Sequence, residues 1–308
     1  MPEPDERATA APGALAAGPT PPHRSLWQDV FRTGFSLRFV AAGGVPTRVL
    51  EAGDGPPLLL LHGTGGHLEA FMRNVSALAE RFRVIVCDMV GHGFSGKPDV
   101  PYTVDYLSDH VVALLDALGI ERAHISGESL GGWVAAWVAA HHPERVDRLI
   151  LNTPGNVAAR PEVMARIKES SLKAVAEADR ANVRARLEWL FHDKSQVTDE
   201  LVDVRLAIYA QPGFLRTMEN ILVLQDPEVR QRYTWRPEWC GKVRAPTLIV
   251  WTDNDPTGTV EEGRQLLEWI PGSRMHVIED AGHWPQWEQP DEFHRLHFEF
   301  LLAAEGAA

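Results

Sequence analysis

The sequence predicts an α/β fold, a mostly parallel sheet with helices on both faces and a helical segment inserted late in the chain. Three features predict it. First, short apolar runs without alternation recur at Leu58–Leu61, Val84–Asp88, Ala123–Ser126, Arg148–Asn152, Pro246–Trp251 and Met275–Ile278, as expected of strands covered on both sides. Second, helical periods separate most of these runs, and strand-helix alternation specifies parallel pairing with crossovers over the sheet. Third, from about residue 155 to 240 the β-branched runs vanish and Arg/Glu/Ala-rich helical periods replace them.

In chain order, residues 1–24 are rich in Ala, Pro and Gly and lack both a basic start and an unbroken apolar stretch, so they read as a disordered leader rather than a signal peptide. Phe35–Val40 and Thr47–Glu51 read as an opening antiparallel pair around Ala41-Ala42-Gly43-Gly44. Leu68–Glu80 is helical. Leu107, Val111, Leu114, Leu115 and Leu118 form a helical stripe closed by Gly119. Leu130, Trp133, Val134, Trp137 and Val138 give the next helix its buried face. In the inserted segment Thr198 can cap a helix whose stripe is Leu201, Val204 and Ile208. Arg205 falls on that same apolar face, where a guanidinium is costly unless it is paired or functional. A salt bridge inside the insert is the structural alternative. The expected division is a core of residues 25–156 and 241–308 with a helical lid at 157–240.

Composition bounds the function. With 308 residues, 44% hydrophobic and 23% charged, the chain is long enough for a sizeable core. A formal net charge of -12 and no Lys/Arg cluster argue against a nucleic-acid partner. No apolar run is long enough to span a bilayer, so a cytoplasmic setting without a membrane partner is expected. Two cysteines, Cys87 and Cys240, suggest neither a disulfide framework nor a thiolate metal site, and the thirteen histidines show no metal-ligand spacing. Neither metal nor cofactor is expected. Self-association is left open.

The chemistry centres on Gly127-Glu128-Ser129-Leu130-Gly131-Gly132. A Gly-x-Ser-x-Gly sequence between a strand and a helix lifts the serine hydroxyl above the carboxyl edge of the sheet, because glycine lets the two elements approach at a sharp angle. By itself it could be a plain turn. His62-Gly63-Thr64-Gly65-Gly66 bends just after a buried strand, leaving backbone N–H groups free to receive an oxyanion. It lacks the Lys and Ser/Thr of a phosphate loop. Thr252-Asp253-Asn254-Asp255 and Glu279-Asp280-Ala281-Gly282-His283 each follow a buried strand, so a carboxylate and a histidine come after the serine in chain order. His92, between two glycines, reads as a structural residue holding its loop.

With its nucleophile elbow and the chain order Ser, Asp, His, the sequence from about residue 25 resembles the α/β-hydrolase superfamily. It is most similar to the meta-cleavage product hydrolases, which split a carbon-carbon bond in vinylogous 1,5-diketones formed during bacterial degradation of aromatic compounds. Gly282-His283-Trp284-Pro285-Gln286-Trp287-Glu288 is similar to their histidine motif, and Arg205 matches their lid arginine. The resemblance implies Ser129 as nucleophile, His283 as base and Asp255, rather than Asp253, as the third triad member. It implies N–H groups of Thr64 and Leu130 as the oxyanion hole. Arg205, Trp284, Gly63 and Glu128 would bind the substrate, an anionic 2-hydroxy-6-oxo-hexa-2,4-dienoate.

Glu128 stands where that family commonly has Asn, and Thr64-Gly65-Gly66-His67 replaces a longer stretch with Pro. A Gly-Glu-Ser arrangement is more usual in esterases, so a lidded carboxylesterase or lactonase acting on a small ester is the alternative. A catalytically idle small-molecule binder is the third reading.

Overall fold

A computed structural model describes residues 25–304 other than 29 and 32; the leader expected over 1–24 lies outside the described residues. Among the described residues eight strands form one sheet in the order β1-β2-β4-β3-β5-β6-β7-β8. They are β1 (Ser36–Ala42), β2 (Val45–Ala52), β3 (Pro57–Leu61), β4 (Arg83–Cys87), β5 (Ala123–Glu128), β6 (Val146–Asn152), β7 (Thr247–Thr252) and β8 (Arg274–Ile278). β1 and β2 pair antiparallel, as do β2 and β4, and every later pairing is parallel. The opening hairpin is tighter than expected. Gly43 and Gly44 take φ of 55° and 84°, so a two-residue turn suffices, and Ala41 and Ala42 join the strand.

Leu58, Leu59, Leu60 and Leu61 are all fully buried, which requires cover on both faces. Between β3 and β6 lie α1 (Met72–Leu78), α2 (Val104–Ala117) and α3 (Leu130–His141). The helix expected over Leu68–Glu80 begins instead with a tight 3₁₀ turn, Leu68–Phe71. After β6 the chain forms only helices until β7: α4 (Pro161–Glu177), α5 (Arg180–Glu188), α6 (Asp199–Tyr209), α7 (Phe214–Ile221) and the single turns α8 (Pro227–Arg230) and α9 (Pro237–Cys240). Then α10 (Val260–Trp269) precedes β8, and α11 (Pro285–Glu288) and α12 (Pro290–Leu301) follow it. On β5, Ser126 meets His297 of α12 through Oγ and Nε2 at 2.9 Å, whereas neighbouring Gly127 backs onto Gly131 of α3. Successive residues point to opposite faces, so α12 and α3 cover the two sides of the sheet. Among the described residues no helix is long and apolar enough to cross a membrane.

Candidate active site

The elbow forms where β5 meets α3. Ser129 holds φ 54° and ψ -116°, a backbone conformation that L-residues rarely adopt and that persists only when its surroundings enforce it. Those surroundings are hydrogen bonds: Ser129 N–H donates to Asn152 O at 3.0 Å, and Ser129 O accepts from Trp133 N–H at 3.1 Å and Gly155 N–H at 2.9 Å. A Cβ at Gly127 would fall 2.2 Å from Gly131 O, so this crossing tolerates no side chain.

His283 arrives on the loop after β8. Its N–H donates to Leu190 O of the helical insert at 2.7 Å, and Thr153 Oγ1 donates to His283 O at 3.0 Å. A Cβ at Gly282 would lie 2.4 Å from Leu190 O. Glu288 completes the latch: its carboxylate accepts from Gly282 N–H at 2.8 Å, from His192 N–H at 2.8 Å and from Asp193 N–H at 2.9 Å. One side chain thus ties the histidine loop to the insert.

Asp255, on the loop after β7, places Oδ1 2.9 Å from His283 Nδ1. Thr257 donates to the same oxygen from N at 2.8 Å and from Oγ1 at 2.9 Å, and its hydroxyl lies 3.0 Å from His283 Nδ1. Asp253 points elsewhere, accepting from Ala281 N–H at 3.3 Å. Burial disfavours the charged imidazole, but the Asp255 carboxylate, helped by Glu128, more than offsets this and raises the basicity of His283 above the ordinary value. The Ser129 hydroxyl makes no hydrogen bond among the described residues. In unliganded enzymes the nucleophile-to-base hydrogen bond is often long and tightens with substrate.

Gly63, Thr64, Glu128, Ser129, Leu130, Arg205, His283 and Trp284 line one cavity, so the chain brings eight of the nine expected site residues to one space. The ninth, Asp255, stands behind His283. The N–H groups of Thr64 and Leu130 donate to no acceptor among the described residues, which leaves both free for an oxyanion. His92 is buried away from this cavity with Nδ1 3.0 Å from Val90 O.

Arg205 of α6 is 1% exposed, and among the described residues no carboxylate lies within ion-pair distance of it. Its Nη2 is buried without a partner, and its guanidinium carbon sits 5.3 Å over the Trp284 ring. The salt bridge inside the insert is therefore not formed. Nε–H instead donates to His67 Nε2 at 3.5 Å. Burial lowers the basicity of His67, so its ring is neutral and Nδ1–H donates to Glu69 Oε2 at 2.9 Å. Glu69 in turn accepts from Arg48 Nη2 at 2.7 and 2.6 Å, and Arg48 Nε pairs with Asp88 Oδ2 at 2.9 Å. A buried polar chain thus runs from the sheet edge to the lining arginine.

Glu128 is 1% exposed, with Oε1 3.3 Å from His283 Nε2. The Gly63 N–H faces its carboxylate, but neither oxygen completes a hydrogen bond of ordinary geometry. Burial pushes the acid up to about 7 against the pull of His283. The residue that reads in sequence as a permanent charge thus holds its proton more readily than an ordinary carboxylate, which softens its repulsion of an anion. Because the folded value is raised, its contribution to stability is full below the unfolded value of 4.5 and is lost as pH rises through about 7. Glu128→Gln should accordingly melt higher than wild type at pH 8, by as much as about 3 kcal/mol, and little differently at pH 4. Melting curves across that range check this; a pH-independent difference would contradict it.

Three further residues belong to the site. Thr257 leaves no mark in sequence, because its contacts depend on the turn after Pro256. His67 reads only as the end of a glycine-rich bend. Arg186 of α5 also lines the cavity. It stands three residues after Val183 and four before Leu190, both buried, so the spacing that marks Arg205 marks it too.

A family model for the alpha/beta hydrolase fold matches residues 56–290. The 2-hydroxy-6-oxo-6-phenylhexa-2,4-dienoate hydrolase of Comamonas testosteroni is 34% identical over 260 residues, covering 82% of this chain and 89% of that protein. The 2-hydroxymuconate semialdehyde hydrolase of Pseudomonas sp. (strain CF600) is 34% identical over 281 residues, covering 88% and 95%. Among solved structures, the meta-cleavage product hydrolase of Pseudomonas fluorescens IP01 superposes with a TM-score of 0.76 at 32% identity, covering 86% of this chain and 97% of that one. The chain belongs to the α/β-hydrolase fold family and, within it, to the meta-cleavage product hydrolases.

Proposed function

We propose that this chain hydrolyses the carbon-carbon bond next to the 6-oxo group of a 2-hydroxy-6-oxo-hexa-2,4-dienoate, using Ser129, His283 and Asp255. The observation that carries the reading is the buried Arg205, which lines the same cavity as the serine and the histidine and whose Nη2 has no partner among the described residues. An unpaired buried guanidinium is costly, and a dienoate brings the anion that offsets the cost. A simple ester does not.

The sequence of events follows from the groups present. The dienol substrate first tautomerises to its keto form, with Arg205 and Trp284 holding the carboxylate end. His283 Nε2 accepts the Ser129 proton as Oγ attacks the 6-oxo carbon. The tetrahedral oxyanion accepts hydrogen bonds from the N–H groups of Thr64 and Leu130. The carbon-carbon bond then breaks, its electron pair passing into the dienolate, which takes the proton from His283. Water, deprotonated by the same histidine, releases the acid from Ser129. Asp255 holds the imidazole in the tautomer this needs, and Thr257 holds Asp255. Residues 157–240 act as a lid, tied to the histidine loop through Leu190 and Glu288.

Arg205→Ala separates this reading from an esterase or lactonase reading, which the free carboxyl group of Glu128 beside the nucleophile favours. Dienoate turnover, followed as loss of visible absorbance, should fall about 100-fold or more, as for loss of a charge-stabilising donor. Nitrophenyl ester cleavage should change by no more than about twofold. Equal losses on both substrates would make Arg205 a structural residue and leave the esterase reading in its place.

A further inference from the structure

Two of the arginines lining the cavity spend their guanidinium ends on the protein. Arg160 pairs through Nε with Glu262 Oε1 at 2.8 Å, and Arg230 donates from Nη1 to Asn156 Oδ1 and from Nη2 to Ala158 O at 2.8 Å, leaving only its Nε without a partner. Among the described residues Arg186 and Arg205 make neither an ion pair nor a hydrogen bond through Nη. Arg186 is 4% exposed and spends Nε on Ser171 Oγ at 3.3 Å, with its guanidinium carbon 5.3 Å over the Trp189 ring. Its Nη1 is buried without a partner, and among the described residues no carboxylate lies within ion-pair distance. Burial, with the nearby charge of Arg205, brings its guanidinium down to about 10, still charged at any working pH. The carboxylates that could answer these two charges are committed or out of reach. Asp255 is engaged with His283 and Thr257, and Glu128 faces His283 Nε2 at 3.3 Å, beyond ion-pair distance of either guanidinium. A ligand with one negative charge would leave a buried guanidinium unanswered, which is strongly unfavourable.

We propose that Arg186 is a second anion-binding residue of the cavity, so that the bound substrate carries two negative charges, one met by Arg205 and one by Arg186. The identity of the substrate as a dienoate rests on the function proposed above; the second charge does not. Two sources offer it. The acyl portion can carry a second carboxylate, or the 2-hydroxyl of the dienoate end can bind ionised.

Calorimetric titration of unreactive acids reads the proposal without requiring turnover. One arm compares adipate with hexanoate, the other 2-hydroxypenta-2,4-dienoate with penta-2,4-dienoate. Wild type should bind the more highly charged or ionisable acid about tenfold or more tightly in at least one arm, the value of a charge-assisted hydrogen bond. Arg186→Met should erase that preference while leaving the hexanoate and pentadienoate affinities within about twofold, and Arg205→Ala should weaken all four. A preference in the adipate arm identifies a second carboxylate; one confined to the hydroxydienoate arm identifies the enol oxygen. No preference in either arm would overturn the proposal, as would Arg186→Met weakening every acid equally. Should Arg186→Met fail to fold, Arg186→Lys serves: it keeps the charge but not the fork, so a reduced preference supports the proposal and an unchanged one overturns it. If the wild type cleaves no dienoate, the proposed reaction falls while these affinities still decide the role of Arg186.

Discussion

Ser129→Ala should reduce turnover by about a million-fold while leaving the fold and ligand binding intact. Removal of a triad nucleophile costs on that order, and what survives comes from the oxyanion donors and binding alone. The position also predicts selective labelling. Among the described residues only Ser129 sits at a positive-φ elbow with its hydroxyl free in the cavity, so an organophosphonate should add once to wild type and not at all to Ser129→Ala. Intact-protein mass reads both. An adduct that persists in the variant would remove Ser129 from the mechanism.

The second large effect is expected at Asp255. Its Oδ1 is the acceptor for His283 Nδ1, and Thr257 fixes that oxygen from two sides. An amide at this position can donate to Nδ1, and so stabilises the tautomer that carries its proton on Nε2. That tautomer cannot accept the serine proton. Asp255→Asn should therefore lower kcat by about 10⁴, as in the serine-protease template. Asp253→Asn should change it little, because Asp253 is exposed and its carboxylate accepts only from the Ala281 N–H among the described residues. The pH profile adds a second readout: loss of the carboxylate removes the main influence that raises the basicity of His283, so the acidic limb should move to lower pH.

The sheet was legible because parallel strands buried on both faces have to be continuous apolar runs, as Leu58–Leu61 shows, and because helical periods separate most of them. Boundaries were less so. At the Gly43-Gly44 turn, four residues that read as loop resolve into two strand residues and two turn residues, a difference set by two positive φ angles. The positions of Ser129, His283 and Arg205 could be read from local spacing, since each depends on an element edge or a helix face. Arg186 obeys the same spacing as Arg205, but α5 also carries Arg180 and Arg184, and its apolar stripe is obscured by charge. Thr257 and the chain from Asp88 through Arg48, Glu69 and His67 were not legible. Those contacts join distant segments, and no local pattern encodes them. The state of Glu128 was also hidden: the sequence shows a carboxylate, and only full burial shows that it holds its proton up to about 7.

The central claim is the bond that is broken. Wild-type protein given a 2-hydroxy-6-oxo-hexa-2,4-dienoate in ¹⁸O-water should bleach its visible absorbance and yield two products, a carboxylic acid carrying oxygen from water and 2-hydroxypenta-2,4-dienoate. The kcat/KM for this substrate should exceed that for a nitrophenyl ester by about 100-fold or more, since Arg205 contributes to the first reaction and not the second. Persistence of the dienoate absorbance while the ester is consumed would contradict the account.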